Sequence, residues 1–327
     1  SYRINRYNEE LYDTWLNLLL WSKDYKKLID IIDLAKQNNY SNNYNMLFNK
    51  LLAYKYLGEI DKAIKLVDEN KQYLDSTKIK SIYNELVMNN RKQSLNVFYG
   101  IDFFDNNSNI YHLSYLDYCI KVGNNKIIPR VNYTNKFKDY DFQTEVDYYR
   151  IMNGGDYLYI NYGVGIMNNF FPIHRGGLEY YFSLGKGYEY SLGGRYLYFN
   201  NNRNIYIATT YLGKYVKNYL FSVRPFYVID KVKNSLTGLI DIRYYGSNPV
   251  EYWSFHFIYG NSPDERYVLS QNSDVYLLKS YRLKVERNIS INRSIETKLA
   301  VSYSNEEFVE EKYRNRYSFE MLLKYNF

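Results

Sequence analysis

At 327 residues, 24% of them charged, with a formal net charge of +7 and a mean hydropathy of −0.53, the chain is polar on average and long enough for one large β domain or two ordinary ones. No apolar run reaches the roughly 18 residues of a transmembrane helix, yet a membrane β-barrel stays open, because its strands cross with about 9 to 11 residues and polar alternate positions. Scattered Lys and Arg mark no nucleic-acid surface, and the lone Cys119 supplies neither a disulfide framework nor a thiolate metal site.

From the N-terminus, apolar residues first follow helical spacing. Trp15, Leu18, Leu19 and Trp21 predict one helix, and Leu28, Ile29, Ile31, Ile32 and Ala35 a second. Leu47, Leu51, Tyr54 and Leu57 predict a third, and Ile60, Ala63, Ile64 and Val67 a fourth. A fifth covers 76–89, with Ser76 or Thr77 as N-cap. The stretch KDYKKLI (23–29) realigns with GEIDKAI (58–64), at a spacing close to the period of about 34 residues of tetratricopeptide repeats. Residues 1–92 therefore read as a tetratricopeptide-like helical domain, short for a free-standing solenoid, with a generic helical bundle as the alternative. No secretory signal opens the sequence at Ser1, so for an exported protein the expectation is a signal already removed.

Beyond residue 92 the period changes from helical to two, the mark of strands with one apolar and one polar face. Strands are predicted at 94–104, 110–122, 126–137, 141–151, 156–167, 175–185, 187–199, 203–214, 217–229, 235–245, 250–260, 274–288, 293–304 and 313–327. Apolar faces run through Leu158–Ile160–Tyr162–Val164–Ile166, through Leu236–Ile240–Ile242–Tyr244 and through Trp253–Phe255–Phe257–Tyr259. The opposite faces carry charge. About fourteen strands enclose a lumen too wide to fill with apolar side chains, so the apolar face must turn outward to lipid and the charges inward. The fold class is thus α+β and multidomain: helical hairpins over 1–92, then a transmembrane antiparallel barrel of about 14 strands (range about 12 to 16) over 93–327.

The predicted connections alternate in length. With the helices in the periplasm, the outer loops total more than twice the inner turns, as in outer-membrane barrels. The last stretch, YSFEMLLKYNF (317–327), alternates to its end, so Phe327 reads as an insertion signal on a closing strand. The 43 Tyr suit an interfacial girdle or a polar lumen, since each joins an apolar ring to a hydroxyl.

A series of stretches in order, RVNY (130–133), FPIHRGGLEYY (171–181), YEYSLGGRYLYF (188–199), YLGKYVKNY (211–219), SVRPF (222–226), DIRYY (241–245) and YGNSPDE (259–265), resembles the YaiO-type outer-membrane β-barrel family. That resemblance implies a bacterial outer-membrane location, a barrel fold and a loose link to surface polysaccharide. Polymer exporters likewise join periplasmic tetratricopeptide repeats to an outer-membrane barrel.

Two constellations are candidates for function. The first is a lumen charge network of Arg130, Glu145, Asp147, Glu179, Glu189, Arg195, Arg224, Asp241 and Arg243, read either as a brace of the wall or as a charged constriction. Tyr149, Tyr157, Tyr159, Tyr181, Tyr206, Tyr245 and Tyr252 are expected on the same face. The second is an outer-loop gate of Pro172, His174, Arg175, Pro263, Asp264 and Glu265. Ser254 and His256 sit two residues apart but are expected to face the lumen without a third orienting group, so no catalytic residue, metal or cofactor is expected. The reading is a non-enzymatic pore or accessory for export of surface polysaccharide or another solute. Its expected partners are outer-membrane lipid, polysaccharide, and a periplasmic or outer-membrane protein held by residues 1–92. The alternative is a plugged scaffold barrel that anchors those residues as an interaction module.

Overall fold

Helical spacing and period-two alternation each yield the element they dictate. The computed structural model describes residues 9–106, 110–123, 125–136, 138–152, 155–200, 202–231, 234–246, 250–261, 279–292, 294–309 and 311–327. The chain divides between Arg91 and Lys92 into two compact units.

The first unit contains α1 (Glu9–Trp21), α2 (Tyr25–Gln37), α3 (Asn43–Leu57), α4 (Ile60–Asp68), a 3-10 turn (Lys71–Asp75) and α5 (Thr77–Asn89). Asp24 caps α2 through the Lys27 N–H, Asn42 caps α3 through the Asn45 N–H, and Gly58 ends α3 in the left-handed conformation at φ +75°. Ser76 occupies the N-cap of α5 without a capping bond, its hydroxyl being 3.1 Å from the Tyr44 hydroxyl instead. Each α-helix packs on the next, and α1 also on α3. The buried stripe of α1 is Tyr12, Leu16 and Leu19, at i, i+4 and i+7, against Leu28, Ile31, Ile32 and Ala35 of α2. The expected stripe through Leu18 and Trp21 is corrected: they are 55% and 78% exposed, one residue off the buried face. A second core joins Leu47 and Leu51 to Ala63, Val67, Ile79, Tyr83 and Leu86. No described helix is long and apolar enough to cross a membrane.

The second unit is a closed barrel of fourteen antiparallel strands in sequence order. They are β1 (Gln93–Phe104), β2 (Tyr111–Val122), β3 (Asn125–Lys136), β4 (Asp139–Ile151), β5 (Tyr157–Gly165), β6 (His174–Gly185), β7 (Tyr188–Phe199), β8 (Arg203–Val216), β9 (Tyr219–Asp230), β10 (Ser235–Tyr245), β11 (Tyr252–Asn261), β12 (Lys279–Ser290), β13 (Ile295–Val309) and β14 (Lys312–Asn326). β14 closes on β1 from Ser94↔Asn326 to Phe104↔Arg316, which leaves no open edge. The end carrying Gln93 and Asn326 is proximal here; the connection 166–173, the last residue of β11 and the first of β12 are distal.

Alternation sorts the side chains as a bilayer requires. Ile240, Ile242 and Tyr244 of β10, Trp253, Phe255 and Phe257 of β11, and Phe319, Met321 and Leu323 of β14 project outward and are exposed. Between them Asp241, Ser254, Ser318 and Glu320 point inward and are buried. The strands tilt, so a row of paired residues climbs the wall. One such row runs Phe98–Tyr115–Asn132–Gln143–Gly165, from the middle of β1 to the distal end of β5.

Candidate functional site: the barrel lumen

The inward positions of β2 to β6 assemble around Arg130. Its Nε lies 3.2 Å from Asp117, its Nη1 2.7 Å from Glu145 and its Nη2 3.2 Å from Asp147. Its guanidinium sits 4.8 Å from the centre of the Tyr115 ring. Arg175 of β6 approaches the second Glu145 oxygen at 3.4 Å, while Asn161 and Tyr159 donate to Asp147 at 2.6 and 2.9 Å. Three carboxylates thus share two cations and several neutral donors, which is how a buried charge group is tolerated.

A second cluster centres on Glu179 of β6, 2% exposed. It accepts from Arg224 at 2.6 Å and Ser191 at 2.5 Å, with Arg195 at 3.8 Å. Arg224 comes from β9, three strands away. The row Glu179–Gly193–Thr209 explains its reach, because small residues on β7 and β8 leave the wall low. A Cβ on Gly193 would stand 2.7 Å from the Glu179 Cβ.

A third centres on Asp241, which accepts from Ser254 at 2.5 Å, with the His256 Nδ1 at 3.2 Å and Arg243 at 3.5 Å. The Ser254 proton therefore goes to a carboxylate and not to the imidazole. Further round the wall, Lys284 bridges Glu320 (2.6 Å) and Glu286 (3.6 Å), and Arg316 bridges Asp102 (2.6 Å) and Glu306 (3.5 Å).

On β4 to β11 the lining changes from charge to tyrosine toward the proximal end, whereas β12 to β14 keep ion pairs there, Lys324 with Glu296 and Lys298 with Glu286. Tyr149 faces Tyr159 at 5.0 Å and Tyr157 at 6.4 Å between ring centres; Tyr157 stacks on Tyr181 at 4.2 Å, and Tyr181 meets Tyr211 at 6.2 Å. Tyr245 joins Tyr215 at 6.5 Å and Tyr252 at 5.7 Å.

At the distal end the β5–β6 connection turns inward. Asp141, 0% exposed, accepts the N–H groups of Met167 (3.2 Å), Phe170 (2.8 Å) and Phe171 (2.8 Å). Phe171, 5% exposed, packs with the inward residues Phe98 of β1 and Leu113 of β2, against Tyr115 and Leu322. The segment thus crosses the inner faces of β3 and β4. Gly165 and Phe98 belong to one paired row, so the segment that follows Gly165 returns along that row toward Phe98.

The YaiO membrane beta barrel domain matches residues 92–265, more than half of the chain. The chain belongs to this family. The match begins at the junction of the two units, and β12 to β14, which lie beyond it, complete the YaiO barrel of this chain. No curated protein matches the sequence. Among solved structures, a bacterial polysaccharide outer membrane secretin aligns with 72% of this chain and 99% of its own length, at 6% identity and a TM-score of 0.47. The outer membrane protein Omp33 of Acinetobacter baumannii aligns over 72% and 99%, at 12% and 0.44, and the KdgM porin over 71% and 99%, at 10% and 0.41.

Within the YaiO barrel the nine expected network residues all occupy inward positions, and eight of them fall into three ion-paired groups. Arg130, Glu145 and Asp147 form one cluster, Glu179, Arg195 and Arg224 another, and Asp241 and Arg243 a third. Glu189 has no hydrogen-bond or ion-pair partner among the described residues; Arg243 is the opposite charge acting on it. Tyr206 is corrected: it is 52% exposed, while Ile205 and Ile207 turn inward with Leu197. Of the expected gate, Pro172 lies buried in the inward connection, while His174 and Arg175 open β6 on opposite faces. His174 is on the outer face beside Tyr162, Arg175 in the Glu145 cluster. Pro263, Asp264 and Glu265 lie outside the described residues. Phe327 pairs its N–H with the Gln93 carbonyl at 3.0 Å, beside β1. Asp117, Asp102, Arg316 and Asp141 were missed, although the same alternation places each on an inward position.

Proposed function

We propose that this protein is an outer-membrane pore or export accessory for surface polysaccharide or another hydroxyl-rich solute, held shut at rest by the 166–173 segment. The observation that carries the reading is the contrast between the wall and the strap. The wall is mostly polar, as a solute path requires, and a short segment, three of whose amides bond to the carboxylate of Asp141, lies across it. Loss of that carboxylate should turn a barrel of low conductance into one that passes ions in planar bilayers.

The helical unit is proposed to lie in the periplasm as a tetratricopeptide-like docking module for a protein partner. The two longest connections leave the end opposite Gln93, and in barrels of this kind the longer loops face outward and the shorter turns the periplasm. The realigned stretches 23–29 and 58–64 each span the turn into the second helix of a hairpin, which supports a repeat. An epitope inserted after Asn261 should then be detected on intact cells, and one at Lys217 should not; the reverse would place the helices outside.

The second reading, a plugged scaffold, is favoured by the depth at which Phe171 is buried. A barrel that stays non-conducting after the strap is freed would support it.

A further inference from the structure

We propose that the proximal tyrosine belt around Glu189 is a binding track for neutral or amino-bearing oligosaccharides. This deepens the pore reading and rests on its assignment of the lumen to a passing solute. A sugar ring has an apolar C–H face and a rim of hydroxyls, and tyrosine is the side chain that offers both a flat apolar face and a hydrogen-bonding rim. Tyr157 and Tyr181 stack at 4.2 Å, and Tyr181 continues to Tyr211 at 6.2 Å, so aromatic surface follows the wall from β5 to β8. On the far side Arg243 lies 4.5 Å over the ring of Tyr252.

These rings stay half-buried where the carboxylates of the distal clusters are fully buried. The charges there are mostly consumed by one another, whereas the belt keeps surface to offer. Glu189 adds the specific element. It stands at the start of β7, inward, and pairs with Gly213, between the inward Tyr211 and Tyr215 of β8. Its carboxylate has no hydrogen-bond donor among the described residues, which leaves two acceptor oxygens beside the tyrosines of β8. Such a group takes vicinal hydroxyls in pairs, or an ammonium. Of the belt's cations, Arg224, which donates to the Tyr181 hydroxyl at 2.8 Å, is paired with Glu179, and Arg243 with Asp241, so Glu189 brings the charge left over, and that charge repels a carboxylated or sulfated polymer. A neutral glycan, or one bearing free amines, fits this lining; an acidic one does not.

The test is calorimetric titration of the full chain in detergent with three hexamers: cellohexaose, hexaglucosamine and hexagalacturonate. The first two should bind and the third should not. Tyr157→Ala should weaken both by about tenfold, the effect expected of one lost ring face. Glu189→Gln should weaken hexaglucosamine more than cellohexaose. Tyr206→Ala, the same residue type on the outer face, should bind as the parent does, and heat-modifiability on gels checks the folding of each. Should Tyr157→Ala not fold, Tyr157→Leu replaces it with the same expectation. Failure of the parent to bind either neutral or amino hexamer, tightest binding of the acidic one, or unchanged affinity after loss of Tyr157 would overturn the track. Binding without conductance in the strap-freed barrel contradicts the pore and leaves the track standing; conductance without binding does the reverse.

Discussion

Asp141 takes the backbone N–H of Phe171 at 2.8 Å and so holds an apolar ring inside a polar barrel. The same carboxylate accepts from Met167 and Phe170, so three amides of one connection depend on one side chain. Asp141→Ala removes those acceptors, each hydrogen bond to a charge being worth about 1.5–3 kcal/mol. Amides 167, 170 and 171 should exchange with deuterium at least about tenfold faster while those of β4 stay protected. Equal protection in parent and variant would show that Phe171 and the remaining hydrogen bonds seat the segment without Asp141.

Two neighbours on β10 test the sidedness of the wall. Ile242 projects outward, and Arg243 inward onto Tyr252. Ile242→Arg should lower the folded yield, by about 2–4 kcal/mol if the residue lies near mid-bilayer. Arg243→Ala should fold. Equal tolerance at the two positions would contradict the apolar-out, charged-in arrangement.

Two adjacent glycines on β7 separate packing from strand propensity. Gly193→Ala sets a methyl 2.7 Å from the Glu179 side chain and from the Leu178 carbonyl, whereas at Gly194 the nearest atom is 3.5 Å away. Overpacking of this kind costs about 1–3 kcal/mol. Gly193→Ala should therefore lower the urea midpoint of the folded barrel, and Gly194→Ala should leave it nearly unchanged.

In the helical unit, Tyr40 is buried and donates its hydroxyl to Asp13, and Asn45 also donates to Asp13, at 2.5 Å. Burial first, and the bond to Asp13 next, push its phenol up to about 12. A raised folded value favours the neutral form, so this stabilisation is complete below pH ~10, the ordinary tyrosine value, and is lost as pH rises toward 12. The stability difference between parent and Tyr40→Phe, followed by helical circular dichroism, should shrink between those pH values. A constant difference would contradict the linkage.

The strands and their faces were legible because period two is dictated by the backbone itself. Pairing across the lumen was not. Glu189 and Arg195 share a face, but six residues along one strand separate them by about 20 Å, so Arg195 turns to Glu179 of β6 instead. Tyr206 was misassigned because Ile205, Ile207 and Leu197 form a small apolar patch inside the barrel, where the apolar-out rule inverts. The inward course of 166–173 depends on strand tilt. Only the stagger that comes with tilt places Gly165 and Phe98 in one paired row, and no local pattern encodes it.

The central claim is that the lumen is a solute path closed by the Asp141-held strap. Single-channel recording in planar bilayers of the parent and of Asp141→Ala tests it most directly. The account predicts rare, small openings in the parent and a several-fold larger, sustained conductance in the variant. A folded Asp141→Ala barrel that conducts no more than the parent would contradict it.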